Sequence, residues 1–327
     1  MSYNNSSKHF DYPLCNDETI DVSWVPAGLA DFFAVFGNIL AFILLWSNRK
    51  NHQWRSFYVL FAFLSVLDCL GVIVLFPFAM KRYASNFEWC FTTSICQLTS
   101  VLLVGAHLTS GMIICAMSYC RYKNLGLDIE QQCRTFEKKY FILGVTIIVV
   151  AYSISFIQLQ SSSSTALMYP GTWCYFNFVN PSGVDQAISF IYSILGIFFV
   201  ASTTVLNVFT TRRVVRDPTQ KTILAERQAV SGFYDVHVIV FLVAVTVVSI
   251  IFWIPFLVVV LLHATHALST NEAEELWSVR LVFWNAALDP WLYIILRSES
   301  ILRIRSCFLS LWNFCRRREE NEDEGLL

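Results

Sequence analysis

Charged side chains are scarce in this sequence. Asp, Glu, Lys and Arg together make up 14% of its 327 residues, against 56% hydrophobic ones. A soluble domain of this length could carry that balance only by exposing large apolar patches, so a water-soluble protein is excluded. Internal repeats are also missing, which argues against a transporter assembled from related halves. From Cys96 to Tyr119 there is no Asp or Glu, so a pocket beside that stretch lacks the carboxylate that a cationic amine would pair with. From 276 to 296 there is no Lys, and hence no amine for a Schiff base. The first 24 residues lack the apolar core of a cleavable leader, so the first hydrophobic run is expected to serve as its own insertion signal.

Long apolar runs are what the chain has in quantity. They lie near 25–46, 56–80, 95–119, 140–160, 187–209, 236–263 and 276–296, each long enough to cross roughly 30 Å of hydrocarbon as a helix. The expected fold is therefore an all-α membrane protein, a bundle of seven transmembrane helices. Most of the 23 Lys and Arg residues fall after the first, third, fifth and seventh runs, in groups such as Arg49–Lys50, Lys138–Lys139, Arg212–Arg213 and Arg316–Arg318. Short cation-rich loops stay on the cytoplasmic side, which places the amino terminus outside. The organisation read from this pattern is an extracellular segment 1–24, a helical domain 25–297 and a cytoplasmic segment 298–327.

Other features of the outer segments agree with that orientation. Asn4 and Asn5 each begin an N-x-S glycosylation sequon. Of ten cysteines, Cys15, Cys90, Cys96 and Cys174 map to the outer side, where an oxidising environment permits pairing. Four cysteines allow three connectivities. Cys96 with Cys174 is the favoured pair, which leaves Cys15 with Cys90; free thiols at some of them are the alternative.

Ionisable groups inside a membrane are costly, so each one is a functional candidate. They are Asp31 in the first run, Asp68 in the second, His107 in the third, with Arg121 closing it, and Arg280 and Asp289 in the seventh. Arg280 is a permanent cation whose planar fork suits a carboxylate or phosphate. From its own helix alone it could equally snorkel to the headgroups. Asp68, Ser110, Asn285 and Asp289, with Asn38 on a further run, supply hard oxygen ligands for Na⁺ in a resting state, or else form a structural hydrogen-bond network. Pro255 and Pro290 each remove a backbone donor and bend a helix. No required cofactor, catalytic constellation or nucleic-acid partner is expected, so the chain is read as a non-enzyme.

Taken together, Asn38 in GN, Asp68 in LSVLD, the pair Arg121 and Tyr122, Trp253 and Pro255 in FWIP, and DPWLY at 289–293 resemble the rhodopsin-like G-protein-coupled receptors. YPGTWCYF at 169–176 and RLVFWNAALDPWLYIILR at 280–297 are similar to the second outer loop and seventh span of prostanoid receptors. That resemblance implies a plasma-membrane receptor for a prostaglandin or related carboxylate lipid, coupled to a heterotrimeric G protein and, from ICAMS and the acidic NEAEEL loop, raising cyclic AMP. It also implies that Arg280 pairs with the ligand carboxylate, helped by Tyr83 and Thr172, while Trp173 covers the pocket and Trp253 and Phe283 line it. Arg121, Tyr122, Tyr293, Asp289 and Pro290 are the implied activation and coupling residues. A lipid-binding receptor that does not signal and an organic-anion transporter are the competing classes.

The sequence departs from the resembled pattern at three places. Cys120 replaces the acidic residue that commonly precedes the Arg-Tyr pair, which implies raised basal signalling. Trp253 and Phe283 stand where prostanoid receptors commonly carry small residues, and they bear on which ligand fits. After residue 297, Ile301, Ile304, Phe308, Leu311 and Trp312 recur at helical spacing, the pattern of an amphipathic eighth helix on membrane lipid. Cys307 and Cys315 are candidate palmitoylation sites there. No Ser or Thr follows Ser310, so recruitment of arrestin through a phosphorylated tail is expected to be limited. The terminal EDEGLL is similar to an acidic dileucine sorting signal.

Overall fold

The computed structural model of the chain describes residues 23–47, 55–124, 137–160, 165–179, 181, 183–216, 234–267 and 272–296. Among them are seven long helices: α1 Val25–Ser47, α2 Arg55–Ala84, α3 Thr93–Asn124, α4 Glu137–Ile157, α5 Val184–Arg216, α6 Tyr234–Ala264 and α7 Glu272–Leu296. Several run past the apolar stretches that announce them, because helix propensity continues into the flanking polar turns. In α2 the extra turn places Arg82 and Tyr83 on the helix rather than in a loop. The first six are long and apolar enough, by length and composition, to cross a membrane. α7 is interrupted by Glu272, Glu274, Glu275, Arg280 and Asp289, yet it packs against both α6 and α1 as a full member of the bundle.

α3 is the central helix, touching α2, α4, α5 and the outer loop. In its most apolar window 61% of residues are buried, against 28–39% in the other spans. Lipid offers a backbone no hydrogen-bond partners, so every spanning segment is helical. Association then depends on close packing, in which small residues matter. At Gly37 of α1 a Cβ would stand 2.7 Å from Nε1 of Trp291 and 2.9 Å from Pro290 Cγ, so only glycine lets α1 approach the bend in α7. Nε1 of Trp291 donates to the Phe33 carbonyl at 3.2 Å.

The outer end is capped by an element not expected for an all-α bundle, an antiparallel hairpin of β1 Thr165–Met168 and β2 Trp173–Phe176. Its register pairs Thr165 with Phe176 and Met168 with Trp173. The turn needs Gly171, whose φ is +89°, a conformation that glycine adopts without a steric cost. The expected Cys96–Cys174 disulfide joins β2 to the start of α3. Cys90 is disulfide-bonded as well, while its expected partner Cys15 lies outside the described residues. Asn4, Asn5, Cys307, Cys315, the eighth helix and the terminal dileucine also lie outside them.

Two apolar cores stack along the bundle. The outer one joins Leu103 and Leu108 of α3 to Tyr175 and Phe176 of β2 and to Trp253, Phe256 and Leu257 of α6. The inner one joins Leu60, Phe61 and Leu64 of α2 to Ile113 and Met117 of α3 and Tyr293 of α7. At the outer rim, His263 Nε2 of α6 stands 3.2 Å from Glu275 Oε1 of α7. Gln186 Nε2 of α5 donates to the Ala264 carbonyl at 2.8 Å. The first of these contacts ties the start of α7, which carries Arg280, to α6.

Candidate functional site

Between the two rims the helices enclose a cavity of about 150 Å³, lined by residues of α1, α2, α3, α6, α7 and the hairpin. Its walls are mostly apolar, with Leu75, Phe78, Leu103, Val279 and Val282 among them, and its polar lining includes Asp31 of α1 beside groups from α2, α3, α6, α7 and the hairpin. A mainly apolar chamber with a few placed polar groups is the usual form of a small-molecule site.

Arg280, Tyr83 and Thr172 stand together at the outer level. The Tyr83 side chain lies near both Thr172 and Arg280, so α2, α7 and the hairpin turn each contribute one member of the group. The guanidinium also lies against the Trp277 ring, with Cζ 5.9 Å from the ring centre. Among the described residues no carboxylate is within ion-pair range of Arg280. A permanent cation and two hydroxyls facing an apolar chamber have the chemistry to receive one carboxylate through charge-assisted hydrogen bonds. Trp173 lines the same cavity beneath the turn, and its Nε1 donates to the Tyr169 carbonyl at 3.0 Å.

Arg82, which has no evident role in the sequence pattern, holds this group in place. It is completely buried. Its Nε donates to the Gly171 carbonyl at 3.1 Å, and Nη1 donates to the carbonyls of Phe87 and Trp89. One guanidinium therefore ties the last turn of α2 to the first outer loop and to the hairpin turn. Its neighbours in sequence are members of the outer group: Tyr83 follows Arg82, and Thr172 follows Gly171. An arginine at the end of an apolar run reads as a snorkelling residue, so only the long-range contact to Gly171 could reveal its part.

Deeper in the cavity, Trp253 and Phe283 enclose His107, with ring centres 5.5 and 6.1 Å from the imidazole. His107 Nδ1 is 2.9 Å from the Tyr175 hydroxyl, which lies 2.8 Å from the Tyr192 hydroxyl of α5. Tyr175 comes from β2, so this cluster brings the outer loop into contact with α3, α5 and α6. His107 stands out in the sequence as a candidate, but nothing along the chain points to these partners.

Deeper still lie the acids. Ser110 Oγ donates to Asp68 Oδ1 at 3.3 Å, and Asn285 Nδ2 donates to Asp289 Oδ2 at 2.9 Å. Asp68 and Asp289 are close enough to interact electrostatically. Asp68 Oδ2 and Asn285 Oδ1 are buried without a hydrogen-bond partner. Two carboxylates, a hydroxyl and unfilled oxygen acceptors fit a small monovalent cation. Asn38 does not join them through its amide, since Nδ2 donates to Ala34 of its own helix at 2.9 Å.

Comparison with known proteins identifies the family. The profile of the 7 transmembrane receptor (rhodopsin family) matches residues 37–293. The chain belongs to that family. Human prostaglandin E2 receptor EP4 subtype is 26% identical over 333 residues, covering 88% of this chain and 67% of that receptor. Human thromboxane A2 receptor is 25% identical, covering 84% of each. The crystal structure of squid rhodopsin superposes with a TM-score of 0.71 at 15% identity, over 89% of this chain and 85% of that one, which is a likeness of fold. The protein is thus a multi-pass membrane receptor of the rhodopsin family, and not an enzyme.

In this rhodopsin-family receptor the expected coupling residues gather at the inner end. Arg121 and Tyr122 end α3, with Tyr122 exposed. Tyr293 is buried and stacked on Phe61, ring centres 4.4 Å apart. Pro290 lies inside α7 beside Asp289, and Pro255 inside α6 two residues beyond Trp253. Cys120 is buried in the same apolar cluster as Tyr140 of α4. The thiol therefore belongs to the seam between α3 and α4.

Proposed function

We propose that the chain is a plasma-membrane receptor, with its amino terminus outside, for a prostaglandin of the E, D or I type, and that binding raises cyclic AMP through a heterotrimeric G protein. The observation that supports this best is the meeting of Arg280, Tyr83 and Thr172 at one end of an apolar chamber. The prostanoid names of its relatives point to the same ligand chemistry. The carboxylate is held by the guanidinium and two hydroxyls, and the fatty chains lie along the apolar wall toward Trp253. Differential affinity for a state in which α6 has swung outward turns binding into signal. Arg121 and Tyr293 then help form the cleft for the G protein. In the resting state Na⁺ sits between Asp68 and Asp289, using Ser110 and Asn285.

The test is competition binding on intact cells with tritiated prostaglandins E2 and D2 and a stable I-type analogue, each as free acid and methyl ester. A free acid is expected to bind at least roughly tenfold more tightly than its ester, because the ester loses the charged partner of Arg280. Equal affinities would overturn the proposal. Cyclic AMP measured in the same cells decides the direction of the signal.

A further inference from the structure

The cavity places a second hydrogen-bonding group below the carboxylate site. His107 lines the cavity, and its Nδ1 is engaged by the Tyr175 and Tyr192 hydroxyls at 2.9 and 3.4 Å. Among the described residues its Nε2 has no hydrogen-bond partner. Nor is Nε2 one of the polar atoms sealed away without a partner, whereas the neighbouring Trp253 Nε1 is. The ring cannot turn to hide that nitrogen: Trp253, Phe256 and Phe283 surround it with centres 5.5, 6.4 and 6.1 Å away, and the two tyrosines hold its other side. Its hydrogen-bond and ring partners include no carboxylate.

We infer that His107 is a specificity-determining residue whose Nε2 receives a hydroxyl group on the body of the ligand, so that the receptor selects hydroxylated lipid acids over plain fatty acids. The inference rests on the carboxylate reading above and deepens it. Chemistry favours a hydroxyl. With the Tyr175 hydroxyl donating to Tyr192, Nδ1 keeps its own proton for the Tyr175 oxygen, and Nε2 is a bare acceptor that a ketone cannot fill. If the protons run the other way, Nε2 carries a donor, which a hydroxyl also accepts. Both arrangements suit a hydroxyl. Trp253 and Phe283 are the ring walls that keep the imidazole upright, which gives the two bulky departures from the prostanoid pattern a joint purpose.

Prostaglandin E2 has two hydroxyls, at carbons 11 and 15, and its 11-deoxy and 15-deoxy analogues remove them one at a time. On the unaltered receptor, one of these analogues is expected to bind roughly tenfold more weakly than prostaglandin E2. In His107→Phe that difference should vanish, because the partner of the hydroxyl is gone, while the preference for acid over methyl ester persists. His107→Gln, which keeps a polar end, should retain part of it. If both deoxy analogues bind the unaltered receptor as tightly as prostaglandin E2, the inference is wrong, whatever the variants do. If His107→Phe weakens all three compounds by the same factor, His107 is a packing residue and the inference is again overturned. A receptor that binds none of the E2, D2 and I-type acids overturns the carboxylate reading, and the inference with it.

Discussion

The outer and inner halves of the bundle handle buried charge in opposite ways. At the outer end Arg280 brings a permanent positive charge into an apolar chamber with hydroxyls for company. At the inner end Asp68 and Asp289 bring two acids together, and the partners they are given are a hydroxyl and an amide. Among the described residues, neither group is neutralised by a protein counter-ion of its own. A fixed cation at the mouth of a cavity suits a large anion arriving from outside, whereas two enclosed carboxylates suit something small, a proton or Na⁺. Under the proposed function the difference separates the tasks: the outer group would decide what binds, and the inner group which state the helices prefer. Between them, the His107 cluster is in ring contact with both the hairpin and the floor of the cavity.

If that division of labour holds, substitutions at the two ends should fail in different assays. Arg280→Gln is expected to have the largest effect, a loss of roughly ten- to a hundredfold in prostaglandin affinity, as for a charged hydrogen bond worth about 1.5–3 kcal/mol. Surface expression measured by antibody on the same cells should stay normal. Retained affinity at normal expression would remove the outer half of the comparison.

Arg82→Met should cost about tenfold in affinity for the free acid and much less for the methyl ester, because the variant frees Gly171 and with it Thr172 and Tyr83. A general loss of folding would instead weaken acid and ester alike, so the ratio of the two affinities separates the explanations. Arg82→Lys should recover little, since one ammonium cannot reproduce the three carbonyl contacts of the guanidinium.

At the inner end, Asp68→Asn should abolish the dependence of agonist affinity on sodium chloride, an effect of several-fold, while the ratio of acid to ester affinities stays put. An unchanged sodium response in the variant would count against Na⁺ there. Cys120→Glu is the finest probe. It restores an acid beside Arg121 and should lower basal cyclic AMP modestly, with no change in ligand affinity. A shift in affinity equal to the change in basal output would show that the two halves are not separable.

Much of the bundle is legible in the order of residues alone. The seven spans can be read because each must bury some twenty residues in hydrocarbon, a demand that leaves long unbroken apolar runs. Arg280 and Asp68 stand out for the complementary reason, as rare charges where charge is costly. The expected grouping of Arg280 with Tyr83 and Thr172 follows from likeness to prostanoid receptors, and the structure brings those three side chains to one end of the cavity. The hairpin is not legible. Its strands are four residues long, too short for alternation to declare itself, and the segment sits among helices. Nor is the role of Arg82, because an arginine at a helix end is usually held by water or headgroups, and its three carbonyl partners lie in two separate loops.

The sequence by itself determined the number of spans, the few places where a charge enters the membrane and the chemical kind of each such charge, because hydrophobicity and ionisation are properties of single residues and their neighbours along the chain. The tertiary structure alone decided which charges share a chamber, which guanidinium lines it and which is consumed by backbone carbonyls, and that His107 turns one nitrogen to Tyr175 and keeps the other without a partner among the described residues. Those outcomes depend on contacts such as that of Arg82 with Gly171, 89 positions apart, and such contacts exist only once the helices have packed.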